Sequence, residues 1–126
     1  MGLAYEPNTL CWSELATRDP EGAEKFYKEL FGWQTNSHPA APGGYLELKN
    51  GKSSFGGILK MTEEFGNAPP HWAVYWQVSD CDASAAKLKE LGGTLHHGPF
   101  DMPSVGRIAV CADPQGANFY LIQLSA

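Results

Sequence analysis

Two polar residues of the sequence, His71 and Glu14, could take part in acid–base or metal chemistry. Each lies in a segment in which residue types alternate, and alternation of this kind predicts a β-strand. If both side chains point into one cavity, the imidazole and the carboxylate could hold a divalent metal or act as acid and base. The structural alternative is that His71 lies in water at a strand end while Glu14 hydrogen-bonds to Tyr75 or Gln77, as a buried carboxylate requires.

The remaining histidines are weaker candidates for chemistry. His96 and His97 are adjacent, and neighbouring residues of a strand point to opposite faces, so at most one of them can line a site. His38 precedes Pro39 and is expected in a surface loop.

The three cysteines are better explained as core residues than as nucleophiles. An odd number cannot pair completely, and Cys11, Cys81 and Cys111 form no C-x-x-C spacing, which favours a reducing cytoplasmic setting. No histidine falls beside Cys11 or Cys111. We therefore expect these two thiols to behave as small hydrophobic groups on strands.

Composition limits the classes of partner. A chain of 126 residues with 43% hydrophobic content fits a single compact domain, 1–126. The net charge is −5 and the basic residues are scattered singly, which argues against nucleic acid or an anionic membrane as partner. No apolar run is long enough to cross a bilayer. The expected partner is a small molecule.

An internal repeat must organise the elements that position these residues. Leu30 aligns with Leu91 and Gly32 with Gly93, at an offset that is the same for both pairs. Repeated units of this kind commonly cannot bury their apolar faces alone, so the two copies are expected to pack around a shared surface that serves as a binding cleft.

Alternation, helix caps and turn residues predict the same order of elements in each copy. Asp19 is a candidate helix N-cap followed by Pro20, and Phe26 and Tyr27 are expected in the core of this first helix. The fold class is therefore α+β, with two tandem βαβββ modules at about 8–61 and 70–126. The predicted strands are 10–17, 33–36, 45–49 and 54–60 in the first module and 71–78, 94–97, 107–112 and 117–124 in the second, with helices at 20–31 and 82–91.

Two segments carry a family resemblance. The residues EKFYKELFGW at 24–33 and DPQGA at 113–117, set in tandem βαβββ modules, resemble the vicinal oxygen chelate superfamily, which includes glyoxalase I, bleomycin resistance proteins and extradiol dioxygenases. The resemblance implies that the modules form an incomplete barrel with a central cleft, in which enzymes of the family bind a divalent metal. It is also compatible with a homodimer.

The residues at the metal-ligand positions of that family are unusual here. The resemblance assigns these positions to Trp12, Ala73, Tyr120 and either Phe55 or Gly57. None of these side chains is a normal ligand for a divalent cation, which prefers imidazole, carboxylate or thiolate. We therefore predict no metal and no other cofactor. A register error of two residues would instead make Glu14 and His71 the ligands of a divalent metal.

The predicted ligand-binding wall combines aromatic rings with two polar groups. Such a wall suits a flat organic ligand that is apolar or cationic, bound by stacking and oriented by one carboxylate. The preferred function is metal-independent binding of a small molecule. The alternatives are a metal-dependent lyase, isomerase or dioxygenase, and a protein in which the aromatic rings merely fill the cleft, so whether the chain is an enzyme stays open. The wall residues are Trp12, Phe55, Tyr75 and Tyr120, with Glu14 and Gln77 as polar groups, while Trp72, Trp76 and Phe119 are expected beneath the helices.

Overall fold

A computed structural model describes residues 6–38, 44–103 and 105–125 of the chain, and for Glu64 the backbone alone. Contacts divide these residues into two units, the first formed by 12–73 and the second by 6–11 together with 74–125. The elements in chain order are β1 (Leu10–Thr17), α1 (Pro20–Phe31), β2 (Gln34–His38), β3 (Tyr45–Asn50), β4 (Ser53–Lys60), a 3₁₀ turn (Glu63–Phe65), β5 (His71–Gln77), α2 (Cys81–Glu90), β6 (Thr94–Met102), β7 (Gly106–Ala112) and β8 (Asn118–Leu124).

Both helices begin at an aspartate cap. The Asp19 carboxylate accepts a hydrogen bond from the Gly22 amide at 3.0 Å, and Pro20 takes the first helical position, as predicted. In the second unit the Asp80 carboxylate accepts from the Ala83 amide at 3.0 Å. Because the cap is Asp80, α2 begins at Cys81 rather than at the predicted residue 82. Among the described residues, neither helix has the length and apolarity needed to cross a bilayer.

Each unit repeats one strand arrangement. The strand order is β2-β3-β4-β1 in the first unit and β5-β8-β7-β6 in the second. In each, the opening strand pairs in parallel with the closing strand, and the remaining neighbours are antiparallel. The predicted α+β class and the two βαβββ modules are confirmed.

Two predicted element ends are corrected. β6 continues to Met102 instead of ending at residue 97. Its pairing with β7 shifts register twice, between Leu95 and Phe100, and then continues until Met102 pairs with Gly106. His38 is the last residue of β2 rather than part of a loop, and its Nε2 lies 3.2 Å from the Glu47 carboxylate.

The core of the first unit lies between α1 and one face of its sheet. Leu15, Leu48 and Ile58 are buried there, and Tyr27 packs against them. Phe26 is 57% exposed, so its predicted place in the helix core is wrong. Residues one apart on a helix point about 100° apart, and the stripe that faces the sheet passes through Tyr27 instead.

The core of the second unit is built from a different cluster. The buried residues are Val78, Cys81, Ala109, Cys111 and Leu121, against which Phe119 packs as predicted. Trp76 is 39% exposed, so it is not covered beneath a helix as predicted. Trp72 is 41% exposed and thus only partly covered, but its ring packs against that of Tyr27 in α1, and its Nε1 donates to the Tyr27 hydroxyl at 3.2 Å. The cluster that α2 covers does not include Trp76.

Candidate functional site

The face of the first unit's sheet opposite α1 carries a row of polar residues. Glu14 of β1 lies opposite Gly57 of β4, and Gly57 lies opposite Glu47 of β3. Directly opposed residues share a face, and the alternating residues Leu15 and Ile58 pack towards α1. Glu14 and Glu47 therefore point away from the helix. We call this surface the first-unit face and define it by Trp12, Glu14, Tyr45, Glu47 and Gly57.

Tyr45 joins two of the predicted ligand-binding residues on this face. The Trp12 indole Nε1 donates to the Tyr45 hydroxyl oxygen at 2.9 Å, and the Tyr45 hydroxyl is hydrogen-bonded to the Glu14 carboxylate. Glu14 is only 8% exposed, so this partner supplies the bond that a buried carboxylate requires. Burial, and then the charge of Glu14, raise the pKa of Tyr45 far above its usual value. The phenol is therefore neutral at any ordinary pH.

Gly57 makes room for the Tyr45 ring. A Cβ atom at Gly57 would lie 1.9 Å from the Tyr45 hydroxyl oxygen and 2.1 Å from its Cζ atom, far inside van der Waals contact. The ring thus occupies the space that any side chain at position 57 would need. Tyr45 is not among the residues predicted from the sequence, although a Gly-Gly pair inside a strand, here Gly56 and Gly57, commonly marks such a close approach.

Glu47 gives the first-unit face a second carboxylate. It accepts hydrogen bonds from the Ser54 hydroxyl and, at 3.4 Å, from the Asn36 amide, and it contacts His38. The bond from Ser54, and then that from His38, lower the pKa of Glu47. Its charge also contributes to the raised pKa of Tyr45. Glu47 is not among the residues predicted from the sequence either.

In the second unit, Tyr75 and Tyr120 form a stacked pair. They lie directly opposite each other on β5 and β8, and their ring centroids are 4.4 Å apart with the planes inclined by 24°. Gln77 follows two residues after Tyr75 and so belongs to the same strand face. Its Oε1 atom is buried and has no hydrogen-bond partner among the described residues. The ligand-binding role of all three residues stays a prediction.

Phe55 does not lie where the sequence analysis placed it. The centroid of its ring lies 4.6 Å from that of Trp33, and the side chain packs against the core cluster beneath α1. Gly56 pairs with Leu48 but Ser54 pairs with Lys49, so Phe55 is the extra residue of a bulge and has no residue opposite it on β3. The bulge re-aims the side chain towards the helix. The predicted place of Phe55 on the ligand-binding wall is thereby corrected, and its contact with a ligand stays a prediction.

The histidines are engaged separately. His71 Nδ1 lies 2.8 Å from the Pro69 carbonyl oxygen, so this nitrogen carries the proton and donates. His96 Nε2 lies 3.2 Å from the Asn118 side-chain oxygen. The His97 ring instead contacts Phe100, with the two ring centroids 4.9 Å apart. Among residues 6–38, 44–103 and 105–125, no group of three or more His, Cys, Asp or Glu side chains is arranged to hold a metal ion.

The residues at the family's ligand positions do not fit a divalent metal. Glu14 and Tyr75 hold equivalent positions on the opening strands of the two repeats. Glu14 lies opposite Gly57, and Tyr75 lies opposite Tyr120. The strand register therefore makes Gly57, and not Phe55, the counterpart of Tyr120. An indole at Trp12, a methyl group at Ala73, a hydrogen at Gly57 and a phenol at Tyr120 are not the donors that such cations prefer. Glu14, the fallback ligand, is hydrogen-bonded to Tyr45.

Comparison with known proteins identifies the family. A family model described as "Glyoxalase-like domain" matches residues 12–122. The chain is 43% identical over 122 residues to the protein named "Putative glyoxylase CFP32" of Mycobacterium bovis, a match that covers 96% of this chain and 46% of that protein. It is 32% identical to the "Anthracycline biosynthesis protein DauV" of Streptomyces sp. (strain C5), covering 94% of this chain and 42% of that protein. The chain thus spans less than half the length of these relatives.

A solved structure agrees with this identification at the level of the fold. The crystal structure of methylmalonyl-CoA epimerase from Mycobacterium tuberculosis superposes with a TM-score of 0.68 at 19% identity, covering 94% of this chain and 89% of that one. Identity this low establishes the shared fold and nothing about activity. The chain belongs to the glyoxalase-like family of the vicinal oxygen chelate superfamily.

Proposed function

We propose that this protein binds a small organic molecule carrying an aromatic ring or a positive charge, and that it does so without a metal ion. The observation that carries the proposal is the first-unit face, where the rings of Trp12 and Tyr45 meet the buried carboxylate of Glu14. Aromatic rings beside a carboxylate suit a flat cationic ligand, which gains stacking, cation–π attraction and a counter-charge together.

The residues at the family's ligand positions also support binding without a metal. Trp12 and Gly57 offer no metal donor, and the Tyr45 ring stands where a side chain at position 57 would project. In the second unit the stacked pair of Tyr75 and Tyr120 provides a further aromatic surface at an equivalent place.

The competing proposal is a metal-dependent lyase, isomerase or dioxygenase that uses Glu14 or His71. The name of the mycobacterial relative, which refers to glyoxylase, favours it. The two proposals differ in metal content. Untagged protein should be incubated with Ni²⁺, Zn²⁺, Mn²⁺ or Fe²⁺, desalted and submitted to elemental analysis. We expect far less than one metal per chain, whereas a ratio near one that falls in a His71→Ala variant would establish the competing proposal.

Ligand binding is tested by a melting-temperature screen of aromatic amines and neutral aromatic compounds. For a compound that raises the melting temperature, Trp12→Ala should weaken binding by about 1–3 kcal/mol while the far-UV circular dichroism stays unchanged. Trp72→Ala is the matched control, since Trp72 also donates to a tyrosine hydroxyl but packs on α1. If no compound binds, or if Trp12→Ala binds as the wild type does, the proposal is wrong.

The cellular setting is part of the proposal. All three cysteines are free thiols, which fits a reducing cytoplasm. A small molecule is the proposed partner, nucleic acid and membranes are not, and self-association to a homodimer is a prediction that sedimentation equilibrium would test.

A further inference from the structure

We infer that Tyr45 selects the ligand of the first-unit face: its phenol oxygen accepts a hydrogen bond from a ligand N–H, so a primary ammonium is preferred to a quaternary ammonium of equal charge. This inference rests on the proposed function, because it names the chemical class of ligand that the same face takes.

The hydrogen-bonding capacity of the phenol supports this step. A tyrosine hydroxyl has one hydrogen to donate and two lone pairs that accept. The hydrogen bond with Glu14 raises the pKa of Tyr45, which is the effect of a bond that the neutral phenol donates, and the Trp12 indole N–H fills one lone pair. One lone pair is left over. Tyr45 can therefore offer an incoming molecule an acceptor but no donor.

The position of that acceptor is fixed by packing. Because the ring occupies the space beside Gly57, and because Trp12 and Glu14 hold its oxygen from two directions, the phenol cannot easily turn to suit a different ligand. A group that is already held in its binding position gives selectivity at little entropic cost. The raised pKa of Tyr45 keeps the phenol from ionising, so it remains an acceptor with a fixed hydrogen.

The charges on the face decide which donors are preferred. Glu14 and Glu47 both act on Tyr45 electrostatically, and both raise its pKa. Negative charge at this position favours a cationic donor over a neutral one, and hydrogen bonds from ammonium groups are stronger than those from neutral N–H groups. A quaternary ammonium keeps the charge and the stacking but cannot donate a hydrogen bond to the Tyr45 oxygen. Binding sites that place a hydrogen-bond acceptor against the ligand discriminate against ligands that lack the matching donor.

The test uses two probes that differ in donors but not in charge or ring: benzylammonium and benzyltrimethylammonium. Affinities of both for the wild type and for Tyr45→Phe are measured by isothermal titration calorimetry at pH 7. We expect the wild type to prefer benzylammonium, and Tyr45→Phe to lower that preference about tenfold by removing one charge-assisted hydrogen bond. The phenylalanine ring still fills the space beside Gly57.

Tyr27→Phe is the matched control. Tyr27 lies in the same unit and also accepts from a tryptophan indole, that of Trp72, but it packs against the core beneath α1. Its replacement should leave the preference between the probes unchanged. A general loss of stability would weaken both probes alike, so the ratio of the two affinities reports on the hydrogen bonds of the Tyr45 hydroxyl. If both probes bind but Tyr45→Phe leaves their ratio unaltered, the role of Tyr45 is refuted; if neither probe binds the wild type, the proposed cationic ligand itself is refuted.

Discussion

Replacing Gly57 by alanine tests directly whether the Tyr45 ring occupies the space of a side chain on the first-unit face. The new Cβ would lie 1.9 Å from the Tyr45 hydroxyl oxygen, so the ring must move or the strands must part. Moving the ring would also break the bond from Trp12, which is 2.9 Å long. The change therefore strains packing and leaves a polar group without its partner.

The expected size of the effect follows from these contacts. Overpacking of this kind costs about 1–3 kcal/mol of unfolding free energy. In a Tyr45→Ala background the clash is absent. Gly57→Ala should then stabilise the folded state by about 0.5 kcal/mol, because it reduces the entropy of the unfolded chain. The coupling energy between Gly57 and Tyr45 should thus be about 1.5–3.5 kcal/mol, well above the deviation from additivity found for independent sites.

The assay is urea unfolding of the wild type, both single variants and the double variant, followed by tryptophan fluorescence and far-UV circular dichroism. The two probes must report coincident transitions for the free energies to be compared. If Tyr45→Ala is too unstable to measure, all four proteins are compared in one fixed concentration of trimethylamine N-oxide, which raises stability without altering the contacts.

Gly56→Ala supplies the control for this cycle. Its Cβ would lie 2.2 Å from the Ser13 backbone oxygen, a contact that removal of the Tyr45 ring does not relieve. Its cost should therefore be similar in both backgrounds. Equal costs of Gly57→Ala with and without the Tyr45 ring would refute the packing of the first-unit face described above.

Two further predictions concern ionisation. Burial raises the pKa of Cys11, Cys81 and Cys111, in the last case to about 11, so the thiols should react with Ellman's reagent at the rate of unfolding rather than at the rate of free cysteine. Because the unfolded chain loses these protons first, stability should fall as the pH rises above 9; a flat profile there would contradict this. Because the pKa of Glu47 is lowered in the folded state, its ionisation stabilises the fold above the unfolded pKa of about 4.5, and this stabilisation is lost as the pH falls. Ser54→Ala should remove part of this stabilisation. The urea midpoints of the wild type and Ser54→Ala should therefore differ at pH 7 and converge near pH 3.

The elements could be predicted because their signals are local. Asp19 and Gly32 mark the ends of α1 through hydrogen bonds that reach only a few residues along the chain, and Pro20 marks its start through a fixed φ. Alternation places β1 at Leu10–Thr17, where the structure also has it. The ends of β6 were less predictable, because they depend on how far pairing with β7 continues through its irregularities.

The candidate site was predictable in part. Alternation along β1 assigns Trp12 and Glu14 to one face without reference to any other strand. The place of Phe55 was mispredicted, because a bulge changes facing and only the pairing between β3 and β4 reveals it. Phe26 was mispredicted for a related reason, since apolar spacing defines a helical stripe but not which edge of it meets the sheet.

The sequence by itself determined the order of elements, the repeat, and the facing of Trp12 and Glu14. Only the tertiary structure decided that Tyr45 joins Trp12 and Glu14. β3 pairs with β4 in a register that places the Tyr45 ring over Gly57. Strand pairing joins residues that are far apart in the chain, and its register depends on the packing of whole faces, so no local pattern of residues specifies it.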